Sequence, residues 1–296
     1  MTTGDGSHAL LDATVAGIDY PDPDAAHAVL RHRLAQGMPA GTLGVLEELS
    51  VWAAGVQGSD RPRPFDRTRL VCFGGMPEPL VRTLADAVGV GLVAVPAGSA
   101  STETALAAGI AAADREVDQG ADLLIVVELA GAGPVPAATL ISVLTDTEPV
   151  KVVGRPPGTD DAVWITHCAA IRDRRRLAWP HRTEPLELLT AAGNPELAAL
   201  TGFLLQAANR RTPVLLDGVS AAAAAAVAQL ACPRVVRWLQ AGQLSPDPAH
   251  GLALQRLGLT SILRLDSWHG GGLGALLALP VLRAAVLSLQ PEAEAG

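Results

Sequence analysis

Asp122-Leu-Leu-Ile-Val-Val-Glu128-Leu-Ala-Gly131-Ala-Gly133 carries the most structural information in the chain. Leu123–Val127 is an unbroken apolar run, without the alternation of a half-exposed strand. Such a run suits a strand buried on both faces of a parallel sheet. The acidic residue and the glycines that follow make a tight strand-to-helix turn. Working outward, the same signature recurs at Leu70–Phe73, Leu92–Val95 and Val214–Leu216, and more weakly at Ser261–Leu265. Helical patterns fall between the runs, at 78–88, 102–119, 137–144, 195–208, 220–230 and 274–287. Two more, 24–35 with Asp24 as N-cap and 42–54, precede the first strand.

Strands alternating with helices predict an α/β fold, a mainly parallel Rossmann-like sheet flanked by helices. Residues 1–22, polar and rich in Asp and Pro, are expected to be loosely ordered. The remainder, 23–296, reads as a single domain. Ligands in such sheets sit beyond the carboxyl ends of the strands, so the loops after Phe73, Val95, Val127 and Leu216 are where a site is sought.

The 296 residues are 49% hydrophobic and 18% charged, enough to bury one large core. A net charge of −8 provides no basic field for nucleic acid or an anionic membrane. Lys151 is the only lysine; arginine carries the positive charge. Cys72, Cys168 and Cys232 have neither metal-site nor disulfide spacing, so no metal or cofactor is expected and a reducing cytoplasm is the default. The start of the chain lacks the basic and apolar regions of a signal peptide. Broken apolar runs predict no membrane span, and Ala221–Ala226 reads as a tightly packed helix.

Several groups have chemical potential. Glycines after Glu128 permit close backbone approach to a phosphate, and the amides of the next helix would face it. Asp160 and Asp161 are paired carboxylates suited to acid–base or metal chemistry, or to capping a helix. His167 would donate to a phosphate only when protonated. His269, beside Gly270-Gly-Gly272, is a base candidate near neutral pH. A Gly-x-Ser-x-Gly elbow is missing, which argues against Ser-His-Asp hydrolysis.

The final third resembles one known family closely. Pro213-Val-Leu-Leu-Asp-Gly218, Ser245-Pro-Asp-Pro-Ala-His250 and Gly270-Gly-Gly-Leu-Gly-Ala275 with Leu279-Pro280 resemble the end of nicotinate-nucleotide–dimethylbenzimidazole phosphoribosyltransferases, which activate the lower ligand of cobalamin. Val152-Val-Gly-Arg155-Pro-Pro-Gly158-Thr-Asp-Asp161 and Met38-Pro-Ala-Gly-Thr-Leu-Gly44 extend the resemblance. It implies the family fold, with a smaller helical part from 23–57 and 234–260, and a dimer. It also implies nicotinate mononucleotide and an aromatic base as ligands, with Glu128, Gly131, Ala132, Gly133, Arg155, Gly158, His167 and Ser245 at the nucleotide and its phosphate.

The chain departs from the family pattern where chemistry is most demanding. The catalytic Glu of the family's Gly-Glu-Gly-x-Gly-Ala motif falls on Gly271. Gly133, Pro134 and Val135 replace a phosphate-holding Asn-Thr-Thr, and His167 replaces a lysine. After Cys72-Phe-Gly-Gly75 the segment that builds the aromatic-base pocket is shortened. Two expectations follow. One is a noncatalytic partner subunit or small-molecule sensor, pairing with itself or with an intact paralogue. The other is an active phosphoribosyltransferase with an altered acceptor, using His269 or self-ionisation of the substrate.

Overall fold

The computed structural model describes residues 3–35, 37–96, 101–131 and 133–289. Three helices open the chain: α1 (Thr3–Ala16), α2 (Pro23–Ala35) and α3 (Val45–Gln57). Then come β1 (Thr68–Phe73), α4 (Pro79–Ala87), β2 (Gly91–Val95), α5 (Thr102–Asp118) and β3 (Leu123–Glu128). A helical excursion follows, of α6 (Val135–Leu144), α7 (Pro149–Val152), α8 (Asp161–Ala178), α9 (Pro185–Ala192) and α10 (Pro195–Asn209). The rest is β4 (Val214–Leu216), α11 (Gly218–Ala231), β5 (Leu239–Gln243), α12 (Pro248–Leu257), β6 (Ser261–Leu263) and α13 (Leu273–Leu287).

The six strands form one sheet in the order β2-β1-β3-β4-β5-β6, and every pairing is parallel. All five apolar runs are strands of it. Leu123–Val127 and Val214–Leu216 are buried on both sides, whereas the edge strands β2 and β6 are only partly covered. Helices α5, α10, α11 and α12 form one layer, and α3, α4 and α13 the other. Ala221–Ala226 is fully buried in α11, as expected for small residues at a close helix contact.

The sequence reading missed β5. Leu239-Gln-Ala-Gly-Gln243 has no apolar run, because its burial serves a close approach: a Cβ on Gly242 would lie 2.7 Å from the Ala275 Cα of α13. Residues 234–260 therefore supply a sheet strand, and α12 packs on α11 and α6. Their link to 23–57 is made at Trp52, whose Nε1 donates to the Arg237 carbonyl at 3.0 Å.

The expectation that 1–22 is loose is corrected for the described residues of that stretch, 3–22. Residues 3–16 are helical and lie against α10 and α5, with Leu11 and Ile18 buried. Partners far along the chain fix this segment. Arg234 Nε donates to the Ile18 carbonyl at 2.6 Å and Trp238 Nε1 to the Asp19 carbonyl at 2.8 Å. At α2 the capping side chain is Asp22 rather than Asp24: its Oδ1 accepts from the amides of Asp24 and Ala25, with Pro23 in the first turn.

Helices α5 and α10 touch backbone to backbone. A Cβ on Gly109 would overlap the Ala199 carbonyl, and one on Gly202 the Leu106 carbonyl. Neither neighbour can swing aside. Gly109→Val is expected to lower stability by about 3 kcal/mol or more, through overpacking that separates two buried helices. Urea unfolding that shows a loss under about 1 kcal/mol would contradict this packing.

Candidate active site

Loops from five strands and from the α7–α8 connection converge at the carboxyl edge of the sheet. The turn after β1 rests on the turn after β3. The Leu129 amide donates to the Phe73 carbonyl at 2.7 Å, and a Cβ on Gly74 (φ 96°) would lie 2.5 Å from the Ala130 nitrogen. Glu128 ends β3, and its Oε2 accepts from the Ser220 hydroxyl of α11 at 3.2 Å. Burial raises its pKa, and its Oε1 is buried without a partner. Gly131 and Gly133 take positive φ with open space about them; Ala132 between them lies outside the described residues. Pro134 then leads into α6 without an amide to offer.

Gly154 joins the neighbouring loops. A Cβ there would lie 2.5 Å from Asp247 Oδ2 and 3.0 Å from the Trp268 ring. The stretch carrying Arg155 and Gly158 is thus pressed against the loops after β5 and β6. Within it the paired carboxylates are already engaged. Asp160 Oδ1 caps α8 by accepting from the Val163 amide at 2.8 Å, and Asp161 forms an ion pair with Arg155. Gly158 (φ 87°) turns in open space. His167 lies in the second turn of α8, half-buried.

Ser245 binds a protein group: its hydroxyl is 2.9 Å from His250 Nδ1, and its amide donates to the same nitrogen at 3.2 Å. Nδ1 is therefore an acceptor and the proton sits on Nε2. That nitrogen is buried without a partner, and burial pulls the His250 pKa down to about 4.

The Gly270–Gly272 turn closes the site. Gly271 has φ 72°, and a Cβ on it would meet only Leu129 Cδ2, at 3.6 Å. Position 271 thus opens toward the turn after Glu128. His269 pairs through Nε2 with Glu78, the residue preceding α4. Two groups not picked out from sequence lie behind the turn. Asp217, just past β4, is buried, and its Oδ2 accepts from the Gly272 amide at 2.8 Å. Burial pushes its pKa up to about 6, against the amides of Gly272, Ala275 and Gly274, which lower it. Gln243 ends β5 and reaches the His269 carbonyl through Nε2 at 3.4 Å. Asp217 had a signal in the sequence, an acid at a strand's carboxyl end. Gln243 had none, because its strand went unrecognised, and Glu78 was visible only as a helix start.

A family model described as phosphoribosyltransferase matches residues 18–76 and 96–295. The chain belongs to this phosphoribosyltransferase family. Its relatives include the nicotinate-nucleotide–dimethylbenzimidazole phosphoribosyltransferases of Mycobacterium avium (39% identical, covering 93% of this chain and 94% of that one) and Mycobacterium tuberculosis (40%, covering 95% and 94%). Among solved structures, CobT from Thermus thermophilus superposes with a TM-score of 0.77 at 28% identity, covering 89% of this chain and 96% of that one.

Family membership sharpens one feature. The stretch the family model leaves unmatched, 77–95, begins just after the β1 turn and contains Glu78. The mycobacterial alignment spans 338 positions against a chain of 296 residues, so the relatives carry residues missing here.

His250 makes acid stability a test of the site's packing. Its folded pKa of about 4 lies below the ordinary 6.5. The stability gained by keeping it neutral is complete above pH 6.5 and is lost as pH falls toward 4, on the order of 3 kcal/mol in all. Asp217 acts with the opposite sign over a similar range, so the informative quantity is the difference between variant and wild type. His250→Gln is expected to lose less melting temperature than wild type between pH 6.5 and 4.5. Parallel curves would refute the assignment.

Proposed function

We propose that this protein is a noncatalytic member of its family. It would serve cobalamin lower-ligand metabolism in the cytoplasm as a partner subunit or small-molecule sensor. Its site would hold nicotinate mononucleotide or an aromatic base at the carboxyl ends of the strands without transferring phosphoribose. The observation that carries this reading is Gly271. Transfer requires the acceptor nitrogen to lose a proton as it attacks the ribose carbon. A positioned general base contributes roughly two to four orders of magnitude to such a step. Position 271, where the family resemblance implies a carboxylate, presents only hydrogen, with Leu129 Cδ2 the nearest neighbour. The carboxylates nearby each hold the scaffold through one oxygen, Asp217 on the Gly272 amide and Glu128 on Ser220. Phosphate would find backbone at Gly131 and Gly133, but no hydroxyl or amide side chain at 133–135. Ile165 and Leu177, exposed on α8, offer apolar surface for a homodimer or for pairing with an intact paralogue.

A second reading is favoured by the His269–Glu78 pair. A carboxylate on Nε2 orients an imidazole and leaves Nδ1 to take a proton. In that case the protein is an active phosphoribosyltransferase. The acceptor nitrogen bonds to the ribose carbon, nicotinate leaves, and the acceptor's proton passes to His269.

The assay is nicotinate release from nicotinate mononucleotide by the purified protein, with 5,6-dimethylbenzimidazole and with other azole and phenolic acceptors. No release is expected with any of them. Gly271→Glu alone should not restore turnover: a side chain at φ 72° costs about 1–2 kcal/mol, and the acceptor pocket after Gly75 is short. Turnover by the unmodified protein that vanishes in His269→Ala would replace the first reading with the second.

A further inference from the structure

Beneath the Gly270–Gly272 turn lie two buried oxygens, one beside the amides of Gly274 and Ala275, that make no well-formed hydrogen bond. Asp217 Oδ1 and Gln243 Oε1 have no hydrogen-bond partner, and both residues are almost wholly buried. Both side chains crowd Gly274: a Cβ there would lie 2.5 Å from Asp217 Oδ1 and 2.5 Å from Gln243 Cδ. Two buried acceptors left this way cost several kcal/mol together, and a hydrogen in place of a side chain at Gly274 lets them approach. The smallest group that satisfies both is a proton.

We propose that Asp217 is a protonated acid whose Oδ1–H donates to Gln243 Oε1, making a proton-dependent latch on the turn that carries His269 and Gly271. The connections are on both sides of the proton. Asp217 Oδ2 holds the Gly272 amide, and Gln243 Nε2 holds the His269 carbonyl. Loss of the proton leaves the first bond in place. It sets a carboxylate oxygen against an amide oxygen, and Gln243 swings away from the His269 carbonyl.

The surrounding titratable groups leave this proton in place. Glu128 on β3 is bonded to Ser220 of α11. Beyond β5, Asp247 caps α12 and His250 is held by Ser245. Beyond β6, Asp266 pairs with Arg264 and His269 with Glu78. Arg283 of α13 donates to the carbonyls of Phe65 and Val88. No cation among the described residues forms an ion pair with Asp217. Its raised pKa of about 6 agrees with a buried acid that titrates just below neutrality. Because the folded value lies above the unfolded one, the latch contributes fully below pH 3.8 and is lost as pH rises through 6.

Two measurements test the latch. The infrared difference spectrum of the whole protein between pH 5 and pH 7.5 should contain a protonated-carboxyl band. It should persist in Glu128→Gln, disappear in Asp217→Asn, and shift in Gln243→Met, which removes the acceptor. Asn at 217 mimics the protonated acid, accepting from Gly272 and donating to Gln243. Asp217→Asn should therefore melt with wild type at pH 5 and about 3 °C or more above it at pH 7.5. A wild-type spectrum without the band, a band unmoved in Gln243→Met, or a melting difference that does not change with pH would overturn the proposal. A missing band would mean an ionised Asp217 facing a Gln243 amide turned the other way, and an unmoved band a protonated acid that does not donate to Gln243.

Discussion

The acceptor that Asp217 offers to the Gly272 amide is the contact on which the functional end of this molecule depends. Helix α13 begins at a glycine with no side-chain cap, and most of its first turn is buried. Its free amides need an acceptor that water cannot supply there. The acceptor comes from the last turn of the central strand, at the cost of burying a carboxyl group. Once the bond is made, the final helix, β4 and the glycine turn are one unit. The nearby glycines follow from it. Gly242 lets β5 pass under Ala275, and Gly274 leaves room for Asp217 and Gln243.

The rest of the site has a similar character. Groups that read as chemical candidates are engaged with the scaffold: Asp160 with the start of α8, Asp161 with Arg155, Ser245 with His250. A family fold persists when chemistry changes, because packing constrains the core and only a few side chains carry the reaction. The pairing of His269 with Glu78 lies partly in sequence unmatched by the family model. Glu78 stands at the start of α4, soon after the β1 turn, and meets the imidazole there.

The sequence by itself determined the sheet and its direction. Continuous apolar runs at 70–73, 92–95, 123–127 and 214–216 demand cover on both faces, and the helices between them force parallel pairing. It also pointed to one edge of the sheet as the place to seek a site, because a parallel sheet gathers its loops there, and it showed the absence of a carboxylate at 271. Tertiary structure decided the remainder. Residues 3–16 look too polar to order, yet the segment they begin is pinned by Arg234 and Trp238, more than two hundred positions away. The strand at 239–243 ends in Gly242 and Gln243 because its neighbours there are the backbone of α13 and a buried carboxyl group. Asp217, Gln243 and Glu78 gain their roles from partners on other strands and helices. Local pattern encodes which face is buried; it does not encode which buried polar atoms will meet.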